Sequence, residues 1–109
     1  MNLGLDYYGT IETNPRAYTK LAQTVLDSGG KVYIVTAVAS HNEKLVRREI
    51  ARSHVPYTEI VVITYVNHFE VPSLKKAKAL ELKLDLMVDD RRDVCLAINI
   101  VGILAVQSL

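Results

Sequence analysis

The chain of 109 residues has a single cysteine, Cys95, so no disulfide can form within it and no cysteine-built zinc site is suggested. It also lacks an excess of charge of either sign. Thirteen Lys and Arg stand against twelve Asp and Glu, a formal net charge of +1 that points to neither nucleic acid nor a membrane surface. No apolar run approaches the roughly 20 residues needed to span a bilayer. The longest, near residues 94–106, is broken by Asn99 and Gly102. The N-terminus enters a strand-like segment without the basic region and long apolar run of a leader, which predicts the cytoplasm. A glycine-rich nucleotide loop is missing, since the only Gly-Gly pair, residues 29 and 30, ends a helix. His41 and His54 flank a helix as surface residues, and no histidine pair has metal-ligand spacing.

What is there is an apolar chain of ordinary charge content, with 50% hydrophobic and 23% charged residues. Such a balance suits a packed fold, and the length suits one domain over residues 1–109. Strand and helix patterns alternate. Residues 2–6 read as a strand. Asn14 then caps a helix with Pro15 in its first turn, and Tyr18, Leu21, Ala22, Val25 and Leu26 recur at helical spacing. The segment Lys31-Val32-Tyr33-Ile34-Val35-Thr36 reads as a second strand, too uniformly apolar to have a solvent face, which predicts a parallel sheet covered on both sides.

Residues 41–53 predict a second helix, with Leu45, Val46 and Ile50 inward and Lys44, Arg47, Arg48 and Arg52 outward as a solvated face. A strand over 59–64 leads into a loop containing Tyr65, His68 and Phe69, and Ser73 opens a third helix with Leu74, Ala77, Leu80 and Leu84 on one side. A strand over 85–89, a helix over about 91–98 packed through Cys95, and a strand over 102–107 complete the pattern. Strands joined by helices predict right-handed crossovers. The fold class is a three-layer α/β/α sandwich with a mostly parallel, five-stranded, Rossmann-like sheet.

Ligands of such sheets bind beyond the carboxyl ends of the strands. Asp6, Thr36 and Asp89-Asp90 all fall at predicted carboxyl ends, with Lys75 and Lys76 near the start of the third helix, where the dipole disfavours structural cations. A carboxylate attacks a phosphate dianion poorly, so phosphoryl chemistry needs a lysine and a hard cation to offset the repulsion. The adjacent Asp89-Asp90 pair directly after Leu86-Met87-Val88 is the most specific local signal, because like charges repel unless a cation binds. Gly9 makes the turn after Asp6 pliable, so that its amides can meet phosphate oxygens.

In this order the segments resemble the motifs of the haloacid dehalogenase-like (HAD) superfamily along essentially the whole chain. "LGLDYYGT" is similar to the first motif, which implies Asp6 as a nucleophile forming an aspartyl-phosphate, with Gly9 and Thr10 contacting substrate. "VYIVTA" is similar to the second, placing Thr36 and Ala37 at the transferring phosphoryl group. "SLKKAKALELKLDLMVDD" resembles the third and fourth together, implying a phosphate-binding lysine, Lys75 by its distance from the acidic pair or else Lys76. Asp6, Asp89 and Asp90 would then hold Mg2+. The implied protein is a magnesium-dependent phosphomonoester hydrolase.

One position departs from that pattern. Superfamily phosphatases carry a second aspartate two residues after the nucleophile as acid and base, and here it is Tyr8, a poor base at neutral pH. The departure implies an alternative: a relative without turnover that binds phosphate or protein. Tyrosine at this place also resembles the metal-independent dehalogenases of the superfamily. Those carry a helical cap, and this chain has no insertion large enough for one. An open site leaves room for a large phosphorylated substrate or for a second subunit of a homo-oligomer.

Overall fold

The computed structural model describes residues 1–108. Five strands form the sheet: β1 (Asn2–Leu5), β2 (Lys31–Ala39), β3 (Glu59–Tyr65), β4 (Leu86–Asp89) and β5 (Leu104–Gln107). Four helices join them: α1 (Pro15–Asp27), α2 (Glu43–Ser53), α3 (Val71–Glu81) and α4 (Arg92–Ile100). The strand order is β3-β2-β1-β4-β5, and every pairing is parallel. The sheet is therefore wholly rather than mostly parallel, in the expected three-layer Rossmann-like arrangement.

Each face of the sheet carries one apolar cluster. Leu3, Leu5, Val32 and Ile34 pack under Ala22 and Val25 of α1 and Val46 and Ile50 of α2. Tyr33, Val35 and Met87 pack under Val71 and Ala79 of α3 and Val94, Cys95 and Ile98 of α4. The alternation follows from the period of two along a strand. Gly4 faces the second cluster, where a Cβ would lie 2.6 Å from Leu84 and 2.7 Å from Met87, so a larger residue would force those side-chain ends to shift.

Local chemistry sets most boundaries as expected. The Asn14 side chain accepts a hydrogen bond from the Ala17 amide at 3.4 Å, with Pro15 as the first helical residue of α1. Four expectations are corrected. β2 does not stop at Thr36 but runs to Ala39, because β3 pairs with it along Tyr33–Ala39. Ser73 does not open α3; the expected loop tightens into a short helical turn at His68–Glu70, and α3 begins at Val71 with Pro72 in its first turn. The inward face of α3 is Val71, Lys75 and Ala79, while Ala77 and Leu80 are exposed. Leu45 of α2 is likewise exposed, leaving Val46 and Ile50 as its core contacts.

The chain builds β1, β2 and β3 outward on one side and then returns to place β4 beside β1. The β1–β4 boundary is thus the switch point, where a crevice opens beyond the carboxyl ends. Among the described residues no segment at that end is large enough to form a cap, and no helix is long and apolar enough to cross a membrane.

Candidate functional site

Asp6 directly follows β1, and its amide donates to the Val88 carbonyl of β4 at 2.9 Å, which pins the turn to the neighbouring strand. Asp6 shares its side of the sheet with Gly4, and Asp89 shares its side with Met87, so both carboxylates fall beneath α3. There the Lys75 ammonium donates to Asp6 Oδ1 at 2.9 Å and to Asp89 Oδ2 at 2.5 Å. All three side chains are buried. Asp89 Oδ1 accepts from the Arg91 amide at 2.9 Å, so Asp89 is held on both oxygens.

Asp90 completes the group. One carboxylate oxygen from each of Asp6, Asp89 and Asp90 lies within 4.8 Å of the others. Three carboxylates against one ammonium leave the cluster with excess negative charge, and the donor set is all oxygen. Those residues could hold a metal ion, and a hard cation suits them best. Arg91 does not neutralise the group, because its guanidinium forks onto Asp93 through Nε at 3.1 Å and Nη2 at 2.7 Å.

Burial dominates the electrostatics. It pushes the Asp6 carboxyl up to about 8 against the pull of Lys75, with Asp89 and Asp90 adding to the push. Burial pulls the Lys75 ammonium down, but the charges of Asp6 and Asp89 outweigh it and hold the amine above its ordinary value. Lys75 stays a cation; Asp6 needs further positive charge to stay an anion at neutral pH.

A cleft of about 200 Å³ opens above this cluster, lined by Asp6, Tyr8, Gly9, Thr36, Lys75 and Asp90, with Ala37, Tyr65, Val71 and Arg91 at its edges. Thr36 lies two residues beyond the Leu5–Ile34 pairing that ends β1, so the longer β2 carries its side chain past the tip of the central strand. Its hydroxyl is fully buried and has no hydrogen-bond partner among the described residues, a costly state unless a ligand supplies one. Gly9 adopts φ +77°, and a Cβ there would collide with the Asp90 carboxylate. Glycine lets the turn lie against the acidic cluster.

Thr10 and Lys76 fall apart from these. Thr10 is buried below the turn, where its hydroxyl pairs with Ser108 at 2.9 Å and does not reach the cleft. Lys76 sits half-exposed one step round α3 from Lys75 and does not line the cleft. Tyr8 borders the cleft, and the negative charge of Glu49 of α2 acts on its phenol. Burial and that carboxylate push it up to about 12. Sequence patterns missed Glu49, Arg91 and Ser108, which carry no motif; the only trace was Arg91 following the acidic pair.

No family model matches the chain, and no curated protein matches it. Among solved structures, a chain in the structure of a Pnkp1/Rnl/Hen1 complex is similar, with a TM-score of 0.77 at 15% identity. The match covers 98% of this chain and 45% of that one, so this chain spans less than half the length of its structural neighbour. Likeness at that identity is likeness of fold.

Proposed function

We propose that residues 1–109 form a HAD-like hydrolase domain that cleaves phosphate monoesters through an aspartyl-phosphate on Asp6. The observation that carries this reading is the buried Lys75 bridging Asp6 and Asp89 beside the unpartnered Thr36 hydroxyl. Lys75 and Thr36 supply donors where phosphate oxygens would lie. Asp6, Asp89 and Asp90 would hold Mg2+, which when bound offsets the charge of nucleophile and phosphate. Asp6 attacks phosphorus and the ester P–O bond breaks, its electron pair leaving on the departing oxygen, which takes up a proton. Water then attacks phosphorus, the P–O bond to Asp6 breaks with its electron pair returning to the carboxylate, and phosphate leaves as the water's proton passes to solvent.

One observation favours a second reading, a domain that binds phosphate without turnover. The phenol of Tyr8, at the acid and base position, is pushed up to about 12 by burial and by Glu49 and stays protonated at neutral pH, so no strong base stands ready for the water step. Phosphate release from an aryl phosphate with Mg2+, in the unmodified protein, Asp6→Asn and Tyr8→Asp, separates the two. Release that requires Asp6 supports the hydrolase. No steady release from the unmodified protein, with activity appearing in Tyr8→Asp, supports the binding domain.

A further inference from the structure

The cleft's 200 Å³ lies below the roughly 300–1,000 Å³ of pockets that enclose a small organic ligand. A phosphoryl group fits inside; the organic part of a phosphate ester must lie across the rim. Tyr65, the last residue of β3, and Val71, the first of α3, both line the cleft, so residues 66–70 join two of its lining residues. In this connecting segment Val66 is 100% exposed and Phe69, the only phenylalanine in the chain, is 77% exposed.

The segment is well tied. The Asn67 side chain accepts from the Phe69 amide and the Asn67 carbonyl from the Glu70 amide, each at 3.0 Å. The rings of His68 and Phe69 stack with centroids 4.3 Å apart at 32°. A fixed aromatic pair left in water beside a cleft too small for a leaving group is a surface with a task.

We propose that Phe69, with His68 and Val66, forms the leaving-group subsite, and that the substrates are phosphate monoesters of planar aromatic groups. This rests on the phosphohydrolase reading above. The chemistry at the reacting end agrees. Apart from Asp6 and Asp90, assigned above to the nucleophile and the cation, none of the described residues lining the cleft is a carboxylic acid that could protonate the departing oxygen. An aryl oxygen can carry off the P–O electron pair as a phenolate and take its proton from solvent. An alkyl oxygen needs the proton during bond breaking.

Binding of phenylphosphonate and methylphosphonate in the presence of Mg2+, measured by calorimetry, tests the subsite without requiring turnover. The unmodified protein is expected to prefer the phenyl compound by about three- to tenfold, the order of one aromatic contact. In Phe69→Ala the preference should vanish while methylphosphonate binds unchanged; the exposure of Phe69 makes a folding defect unexpected, and circular dichroism checks it. Equal binding of the two compounds, a preference that survives Phe69→Ala, or no binding of either overturns the subsite. So does a Phe69→Ala variant that loses an oligomer but keeps the preference, because the rim would then belong to a second copy. A retained phenyl preference without Asp6-dependent phosphate release would instead sink the hydrolase reading and leave the subsite standing.

Discussion

Lys75 and Asp89 form a contact that the rest of the site depends on: the ammonium meets Oδ2 at 2.5 Å, both side chains are buried, and the same ammonium holds Asp6. Removing one partner from such a group leaves buried charge uncompensated, at a cost of about 3–5 kcal/mol. Lys75→Met should therefore lower the thermal midpoint without metal and abolish phosphate release. The double variant Lys75→Met/Asp89→Leu should recover part of the stability and none of the activity. A Lys75→Met protein as stable as the unmodified one, by thermal denaturation, would refute this account.

Asp6 makes the site sensitive to pH. Its carboxyl is raised from 3.8 to about 8 in the folded protein, so the fold holds an extra proton between those values. The sign follows: this group's contribution is fully present below about pH 4 and is lost as pH rises through about 8. A divalent cation would displace that proton. The rise in thermal midpoint produced by Mg2+ should then grow between pH 5 and pH 8, and Asp6→Asn should flatten the trend. A metal-induced rise independent of pH would count against Asp6 as a ligand.

Thr36 separates stability from function. Its buried hydroxyl has no partner, and an unsatisfied group of this kind costs about 1–3 kcal/mol. Thr36→Val keeps the shape and removes that cost, so the variant should unfold at a higher denaturant concentration. It should also bind inorganic phosphate more weakly, by about tenfold for one lost hydrogen bond. Unchanged phosphate binding by calorimetry would take Thr36 out of the site.

Gly9 carries the turn. At φ +77° with Asp90 against its Cα, alanine is strained and forces the carboxylate aside. Gly9→Ala should cost about 1–3 kcal/mol and weaken Mg2+ binding, whereas Gly29→Ala, also at positive φ but with open space around it, should leave Mg2+ binding intact. Equal metal affinity in all three proteins would show that the turn does not shape the acidic cluster.

The architecture was legible because β1 to β4 are apolar runs each followed by a helical period, as in Val32–Val35 and the α1 stripe ending at Val25 and Leu26. The candidate cleft was legible in part. Asp6, Thr36, Lys75, Asp89 and Asp90 stand at the ends of those elements, and the sheet brings them together. Thr10 shows the opposite case. It sits in the same turn as Asp6, yet its hydroxyl is taken by Ser108, 98 residues away.

Sequence by itself determined the parallel sheet, the order of its elements and the row of polar residues at their carboxyl ends, because backbone periodicity and strand-end placement are local. Only the tertiary structure decided which face of α3 turns inward. Apolar spacing favoured Leu74, Ala77 and Leu80, but Lys75 is buried instead, between Val71 and Ala79. The reason is electrostatic. Two carboxylates from positions 69 and 14 residues away in the chain meet the ammonium, and their combined pull outweighs the cost of taking it out of water.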